Sequence, residues 1–178
     1  MKVGGDGSKI PGARARGPLG TLEHARALGL DGVFFRSVLD MSPTLDPGEL
    51  AAIRALADEL GLYLETGVGK VNPYATAALP EVRAVGGGDY RLGMERQIRA
   101  CRAIGCTDLW VGLASYQSAY PGYFAYDRFR TDAPWADQLA ASAKFLRLLA
   151  PPLRDLGCRL CLETHEESTT FEVARLVE

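Results

Sequence analysis

Short apolar runs alternate with longer amphipathic stretches along most of this chain. The amphipathic stretches carry apolar residues at helical spacing and end in an aliphatic residue followed by glycine. A glycine at that place is typical of a helix end, because it adopts a positive φ without steric cost. The pattern therefore predicts a repeated unit of helix, glycine and buried strand. The glycines are Gly29, Gly61, Gly105 and Gly157, and the runs that follow them contain Val33, Tyr63, Trp110 and Cys161.

Capping signals place the ends of the predicted helices. Asp46 and Pro47 are typical of an N-cap followed by a first helical turn. Pro151 and Pro152 fall inside the longest predicted helix, so we expect that helix to be kinked or divided. The first strand is expected within residues 1–6. The helices are predicted to begin near Thr21, Pro47, residue 93, Pro134 and Thr170.

This order of elements predicts an α/β protein with a parallel sheet. Strands that alternate with helices form βαβ units, in which right-handed crossovers place the helices outside. About five strands and five helices fit into residues 1–178, which we expect to form one domain. The competing architecture is an open doubly wound sheet, which usually carries a glycine-rich phosphate loop after its first strand. Residues 4–7, Gly-Gly-Asp-Gly, are close to such a loop but do not complete it.

Two predicted strands share the pattern Leu-x-Leu-Glu-Thr, at residues 62–66 and 160–164. Because side chains alternate along a strand, the leucines face one way and the glutamate faces the other. Leucines that pack on outer helices leave Glu65 and Glu163 facing inward, each at the carboxyl end of its strand. In a (β/α)₈ barrel this end holds the catalytic residues, because loops from several strands converge there.

Composition narrows the classes of function. The chain has 178 residues, a formal net charge of -2 and a pI of about 5.8, whereas nucleic-acid-binding proteins normally carry a basic surplus. No apolar run approaches the roughly 20 residues that cross a bilayer, and residues 1–20 lack the apolar region of a secretory signal. We therefore expect a cytoplasmic protein without nucleic-acid or membrane partners.

Cys158 and Cys161 form a C-x-x-C, but strand alternation turns them to opposite faces, which predicts structural thiols.

Three segments together carry a family resemblance. Ala27–Val33 follows the first predicted helix, Ala103–Cys106 precedes the fourth strand, and Leu160–His165 ends the fifth. These segments resemble the xylose isomerase-like TIM barrels of the sugar phosphate isomerase/epimerase superfamily. The resemblance implies a (β/α)₈ TIM barrel of which about five of eight units are present, so that residues 1–178 would be its N-terminal part.

The same resemblance implies a metal site and a reaction. Glu163 would bind a divalent metal, Mn²⁺ or Mg²⁺, and border the substrate. The other metal ligands are expected on later strands, beyond residue 178, so this chain alone is expected to be inactive. The implied reaction is isomerisation or epimerisation of a sugar or sugar phosphate, by proton removal next to a carbonyl. The resulting enediolate is anionic, and a carboxylate-bound cation stabilises it as a Lewis acid.

Five residues are candidates for the site. A carboxylate beside the metal can also act as the base, which makes Glu163 the candidate for both roles. His165, Glu65, Arg36 and Tyr116 are candidates for binding the sugar.

Structural interpretations of the same residues stay open. Glu163 could pair with an inward arginine, and His165 could be an ordinary exposed loop residue. Glu65 could form a salt bridge with Lys70. Two long loops are also expected. About 25 residues separate the third strand from its helix, and Tyr116 belongs to an aromatic-rich loop after the fourth strand. Loops of this length tend to be functional lids. The aromatic loop suits a satellite core or a subunit contact equally well, so a homo-oligomer stays open.

Two other functions also stay open. An endonuclease IV-like member of the same superfamily would cut DNA at abasic sites with clustered metals, although the acidic balance and the two histidines count against it. A non-catalytic barrel module would bind a carbohydrate or another subunit. Stoichiometric metal and proton exchange at the substrate α-carbon separate an enzyme from such a module.

Overall fold

The fold is built on one parallel sheet. The computed structural model describes residues 1–113, 127–165 and 167–178. Within these ranges the strands are β1 Gly4–Asp6, β2 Gly32–Phe35, β3 Tyr63–Lys70, β4 Asp108–Gly112 and β5 Arg159–Leu162. They lie in the order β1-β2-β3-β4-β5, and every neighbouring pair is parallel. This is the α/β architecture that the alternation of strands and helices predicts.

The helices outnumber the prediction. In the described residues the α-helices are α1 Ala13–Ala27, α2 Pro47–Glu59, α3 Pro73–Thr76, α4 Pro80–Val85, α5 Tyr90–Ala103, α6 Trp135–Leu156 and α7 Thr170–Val177. Short 3₁₀ helices cover Gly7–Lys9, Val38–Asp40 and Asp127–Phe129. The predicted count of five is wrong, because the stretch expected as a long loop after β3 contains α3 and α4. Each of these two helices begins at a proline, and Asn72 caps α3 by accepting a hydrogen bond from the Tyr74 amide.

The predicted helix-ending glycines all adopt a positive φ. The angle is 79° at Gly29, 66° at Gly61, 80° at Gly105 and 62° at Gly157. After such a glycine the chain turns directly into the next strand; for example, the Leu62 amide donates to the Ala57 carbonyl at 2.8 Å. This hydrogen bond satisfies a carbonyl that the helix end would leave without a partner. The repeated unit of helix, glycine and strand is confirmed.

The start of the first helix was predicted wrongly. α1 begins at Ala13, and Gly17 lies inside it with a φ of 67°, where two helical pieces meet. The Thr21 hydroxyl, which belongs to the second piece, donates to the Gly17 carbonyl at 2.7 Å. The sequence pattern marks only this second piece, because residues 13–16, Ala-Arg-Ala-Arg, carry no apolar stripe.

The other predicted helix starts agree more closely with the structure. α2 begins at Pro47, capped by Asp46, α6 follows Pro134 directly, and α7 begins at Thr170. α6 is one helix through both of its prolines, so of the two expected alternatives the division at Pro151 and Pro152 is wrong, and the kink stays a prediction. Pro152 is buried, and packing of this turn supports the helix in spite of the missing amide hydrogen. No helix in the described ranges has the length and apolarity of a membrane span.

One face of the sheet packs against the helices. Val33 and Leu109 are 0% exposed and Leu64 is 7% exposed on this face. They form one apolar cluster with helix residues such as Ile53 and Ile98. The helices therefore form an outer layer, as the leucines of the two shared strand patterns predict.

The opposite, inner face carries aromatic and charged side chains. The rings of Phe34 and Trp110 meet edge to face with 5.7 Å between their centroids. Tyr63 lies over Gly32, where an added Cβ would come within 2.4 Å of the tyrosine ring. Glu65 is exposed on the same face. The predicted alternation of outward leucines with inward polar residues therefore holds along β3.

Candidate functional site

Glu163 is the first residue after β5 and lies at the inner rim of the sheet. Its backbone amide donates to the carbonyl oxygen of Val111 at 2.9 Å, which continues the pairing of β5 with β4. Leu162 packs against the core, so alternation turns the Glu163 side chain to the inner face. The side chain is partly exposed, and its carboxylate has no hydrogen bond or salt bridge to any residue that the structure describes. Its predicted role in metal binding or catalysis stays a prediction.

His165 lies in the loop that follows Glu163. Its Nδ1 is hydrogen-bonded to a carboxylate oxygen of Glu167. The imidazole is 41% exposed, whereas the Glu167 side chain is only 1% exposed. Contact between His165 and a substrate stays a prediction. Sequence reasoning missed Glu167, because the polar segment Glu-Glu-Ser-Thr-Thr gives no sign that one of its glutamates is buried.

A second glutamate ties this loop to the helices around it. Glu172, in the first turn of α7, accepts hydrogen bonds from the Thr169 amide at 2.7 Å, Arg128 Nη1 at 2.9 Å and Trp135 Nε1 at 3.0 Å. Desolvation by burial opposes ionisation, but these hydrogen bonds outweigh it and lower the pKa of Glu172 to about 2. We call Glu172 with these three donors the Glu172 clamp.

Glu65 does not lie at the end of its strand. β3 begins at Tyr63 and continues to Lys70, so Glu65 lies well inside it. The expectation that Glu65 marks the carboxyl end is wrong, because Gly67 and Gly69 let β3 continue beside β4 with a register shift between them. Glu65 is exposed on the inner face, and its contact with a substrate stays a prediction.

Arg36 directly follows β2 and forms an ion pair with Asp6 at the end of β1. Its Nη2 lies 2.8 Å from Asp6 Oδ2, and its side chain is 54% exposed. Although burial opposes it, hydrogen bonds from Ser8 and Arg36 lower the pKa of Asp6. These residues and Asp40, whose pKa is raised by burial, line a pocket of about 580 Å³. The pocket leaves room for a ligand beside Arg36, and a substrate contact there stays a prediction.

Trp110 and Lys70 form part of an inner-face surface that sequence reasoning missed. Lys70 Nζ lies 5.2 Å from the centroid of the Trp110 ring, which is a cation–π contact. Alternation was the signal that could have found Trp110, since it stands between Leu109 and Val111, both 0% exposed. Its ring must therefore face the side opposite the helices.

The described residues supply one candidate ligand for the implied metal. No group of three His, Cys, Asp or Glu side chains among them is placed to hold a metal ion. Hard divalent cations prefer oxygen ligands, so the Glu163 carboxylate fits as a single ligand.

Cys158 is buried and Cys161 is exposed, and both are free thiols on opposite faces, as predicted. Tyr116 lies outside the described residues, and its role stays a prediction.

Solved structures with a similar fold come from sugar epimerases. A D-psicose 3-epimerase from Clostridium cellulolyticum H10, solved with D-tagatose, is 17% identical with a TM-score of 0.66, over 99% of this chain and 59% of that one. The 3-keto-D-glucoside 4-epimerase of E. coli is 17% identical with a TM-score of 0.65, over 99% and 63%. A D-psicose 3-epimerase solved with D-fructose is 21% identical with a TM-score of 0.61, over 99% and 59%. The likeness establishes the fold, and the chain spans about three fifths of the length of these proteins.

A family profile accounts for most of the chain. No curated protein sequence matches this chain. The profile of the xylose isomerase-like TIM barrel matches residues 22–178. The parallel strands in chain order, with helices outside them, correspond to successive units of such a barrel. The chain therefore belongs to the xylose isomerase-like TIM barrel family.

Proposed function

We propose that this chain forms part of a metal-dependent sugar or sugar-phosphate isomerase or epimerase of the cytoplasm. The observation that carries the proposal is the position of Glu163. Its carboxylate follows β5 directly, on the inner face, without a protein partner among the described residues. The carboxyl ends of barrel strands are where catalytic groups of this fold converge. Proteins of the same fold that were solved with D-tagatose and D-fructose support a sugar as the substrate.

The residues of the inner face would divide the work of binding and proton transfer. Glu163 is suited to remove the proton next to the substrate carbonyl, because a partly buried carboxylate can serve as a general base. The Trp110 ring offers an apolar surface to the carbon skeleton of a sugar and keeps water from that side. His165, two residues after Glu163, can meet a hydroxyl of the same sugar.

Glu163 is also the residue that would hold the metal. A bound divalent cation would stabilise negative charge that develops on the substrate oxygens. We place the remaining ligands on strands that follow β5 in the complete barrel, because the chain spans about three fifths of the similar structures. The described residues give this chain one carboxylate for the site, in keeping with that division.

Proton exchange in the complete barrel tests the proposal. We would incubate the metal-loaded protein with a panel of ketoses and ketose phosphates in D₂O and follow loss of the α-proton signal by NMR. Glu163→Gln keeps the side-chain volume and removes the base, and we expect it to reduce exchange at least about 100-fold. Glu59→Gln, an exposed position at the end of α2, is the matched control and should exchange at the wild-type rate.

Three results would reject the proposal. Exchange that survives in Glu163→Gln removes this residue from the mechanism. A protein that binds sugars without exchange and without stoichiometric metal is a non-catalytic module. Cleavage of DNA at abasic sites, with no action on sugars, would assign the barrel to the endonuclease IV-like class.

A further inference from the structure

Glu167 is a buried carboxylate next to the proposed catalytic rim. Its side chain is 1% exposed, and it is the one Asp or Glu among the fully buried polar residues in the described ranges. Burial of an ionised carboxylate costs several kcal/mol unless hydrogen bonds and an opposite charge offset it. One of its carboxylate oxygens meets Nδ1 of His165. A buried carboxylate in contact with a half-exposed histidine can hold that imidazole in one orientation.

The loop backbone fixes Glu167 independently of that hydrogen bond. The Ser168 amide donates to the His165 carbonyl at 3.0 Å and closes a turn. Arg128 Nη1 donates to the Glu167 carbonyl at 2.9 Å, and the same nitrogen is held by the Glu172 clamp. The backbone that carries Glu167 is therefore held in place, and its buried side chain presents an acceptor to the imidazole.

The identity of the acceptor determines which imidazole nitrogen carries the proton. A carboxylate oxygen is a hydrogen-bond acceptor, so Nδ1 of His165 is the donor in this contact. In the neutral imidazole this leaves Nε2 as an acceptor. Nε2 has no hydrogen-bond partner among the described residues. An acceptor in a fixed place, in the loop that begins at Glu163, suits a hydroxyl of a bound sugar.

We infer that Glu167 is a positioning residue, which holds His165 with Nδ1 protonated so that Nε2 accepts a hydrogen bond from a sugar hydroxyl. The identity of the hydroxyl donor rests on the proposed function, whereas the control of the tautomer by Glu167 does not. An outer carboxylate that orients an inner imidazole is common behind metal-ligating histidines, where its mutation typically lowers metal affinity or activity about 10–100-fold, and we expect an effect of similar size for a sugar-binding histidine.

Imidazole ¹⁵N NMR of this chain tests the tautomer directly. The chain has two histidines, His24 and His165, so His24→Gln assigns both spectra and His24 serves as an internal reference. We expect His165 to carry its proton on Nδ1 in the wild type and to shift toward the Nε2-protonated form in Glu167→Leu. Glu167→Gln, which keeps the volume and an acceptor oxygen, should restore the Nδ1 form even if the leucine variant folds poorly. A wild-type His165 already protonated on Nε2, or a tautomer unchanged in Glu167→Leu, overturns the inference.

Kinetics in the complete barrel test whether Glu167 acts through His165. We expect Glu167→Leu and His165→Ala each to lower kcat/KM about 10–100-fold, with metal content unchanged. In the double variant the loss should equal that of His165→Ala alone, because a residue that acts only through His165 has nothing further to lose. Additive losses contradict the inference. If the complete protein exchanges no sugar proton, the proposed function fails, whereas the NMR experiment still decides the control of the tautomer.

Discussion

β3 and β5 carry the same five-residue pattern, yet they place its glutamate differently. In β3 the pattern begins one residue before the strand, and the strand then continues past Glu65 to Lys70. In β5 the strand stops at Leu162, so Glu163 stands at its end. β3 is paired on both sides, by β2 and β4, whereas β5 pairs with β4 alone among the described residues.

The residues after the pattern explain the difference. Gly67 follows β3's threonine, and a Cβ at this glycine would come within 2.0 Å of the Trp110 carbonyl oxygen. The missing side chain lets the two backbones lie close, so pairing continues. After β5 the chain instead turns into the loop that holds His165 and Glu167. A shared motif therefore fixes which face a glutamate takes, and its continuation fixes whether the glutamate reaches the rim.

The largest expected difference between the two strands is in catalysis. In the complete barrel, Glu163→Gln should lower the exchange rate at least about 100-fold, as a lost general base does. Glu65→Gln should lower kcat/KM by less than about tenfold, because the glutamine can still hydrogen-bond to a substrate and loss of one ordinary hydrogen bond costs only about 0.5–1.5 kcal/mol. The measurement is α-proton exchange on the same sugar for both variants. Equal losses of exchange rate in the two variants would contradict the expectation that the glutamate at the rim matters more than the glutamate inside the strand.

Stability distinguishes the two strands next. Gly67→Ala forces a methyl group against the backbone of β4, and we expect a loss of about 1–3 kcal/mol in the free energy of unfolding. Thr164→Ala, the exposed threonine of β5's pattern, should change it by less than about 0.5 kcal/mol. Urea denaturation of both variants measures the difference. A fully tolerated Gly67→Ala would mean that β3 and β4 are not packed this closely.

Much of this fold could be predicted from residue patterns, and the exceptions have physical causes. Gly29 and its counterparts ended helices because a positive φ is a local requirement. The inward face of Glu65 followed from alternation, which is also local. The extension of β3 depended on close contact between Gly67 and another strand, and the burial of Glu167 depended on the surrounding helices. Such long-range contacts leave no periodic signal in the sequence.

The Glu172 clamp belongs to the β5 side of the comparison, and its contribution to stability should depend on pH. The folded pKa of about 2 lies below the ordinary value of 4.5, so the clamp stabilises the fold fully above pH 4.5 and loses this contribution as the pH falls toward 2. Glu172→Gln should cost about 1 kcal/mol at pH 7. The difference in the free energy of unfolding between wild type and Glu172→Gln should be smaller at pH 3 than at pH 7. Urea denaturation at both pH values measures it, with the exposed Glu23→Gln as control; a gap that widens in acid contradicts the clamp.

The smallest perturbation tests the orientation of β5 itself, on which the position of Glu163 depends. Cys161 is exposed on the inner face, whereas Cys158 is buried and burial raises its pKa. Burial also raises the pKa of Cys106 to about 11, and that of Cys101 is raised in the same way. Thiols react as thiolates, and buried thiols are inaccessible to a reagent. Ellman's reagent should therefore modify Cys161 of the native chain at least about tenfold faster than the three buried cysteines. Cys161→Ser should remove this fast phase without changing the free energy of unfolding. If Cys158 reacted first instead, β5 would be rotated, and Glu163 would face the outer helices.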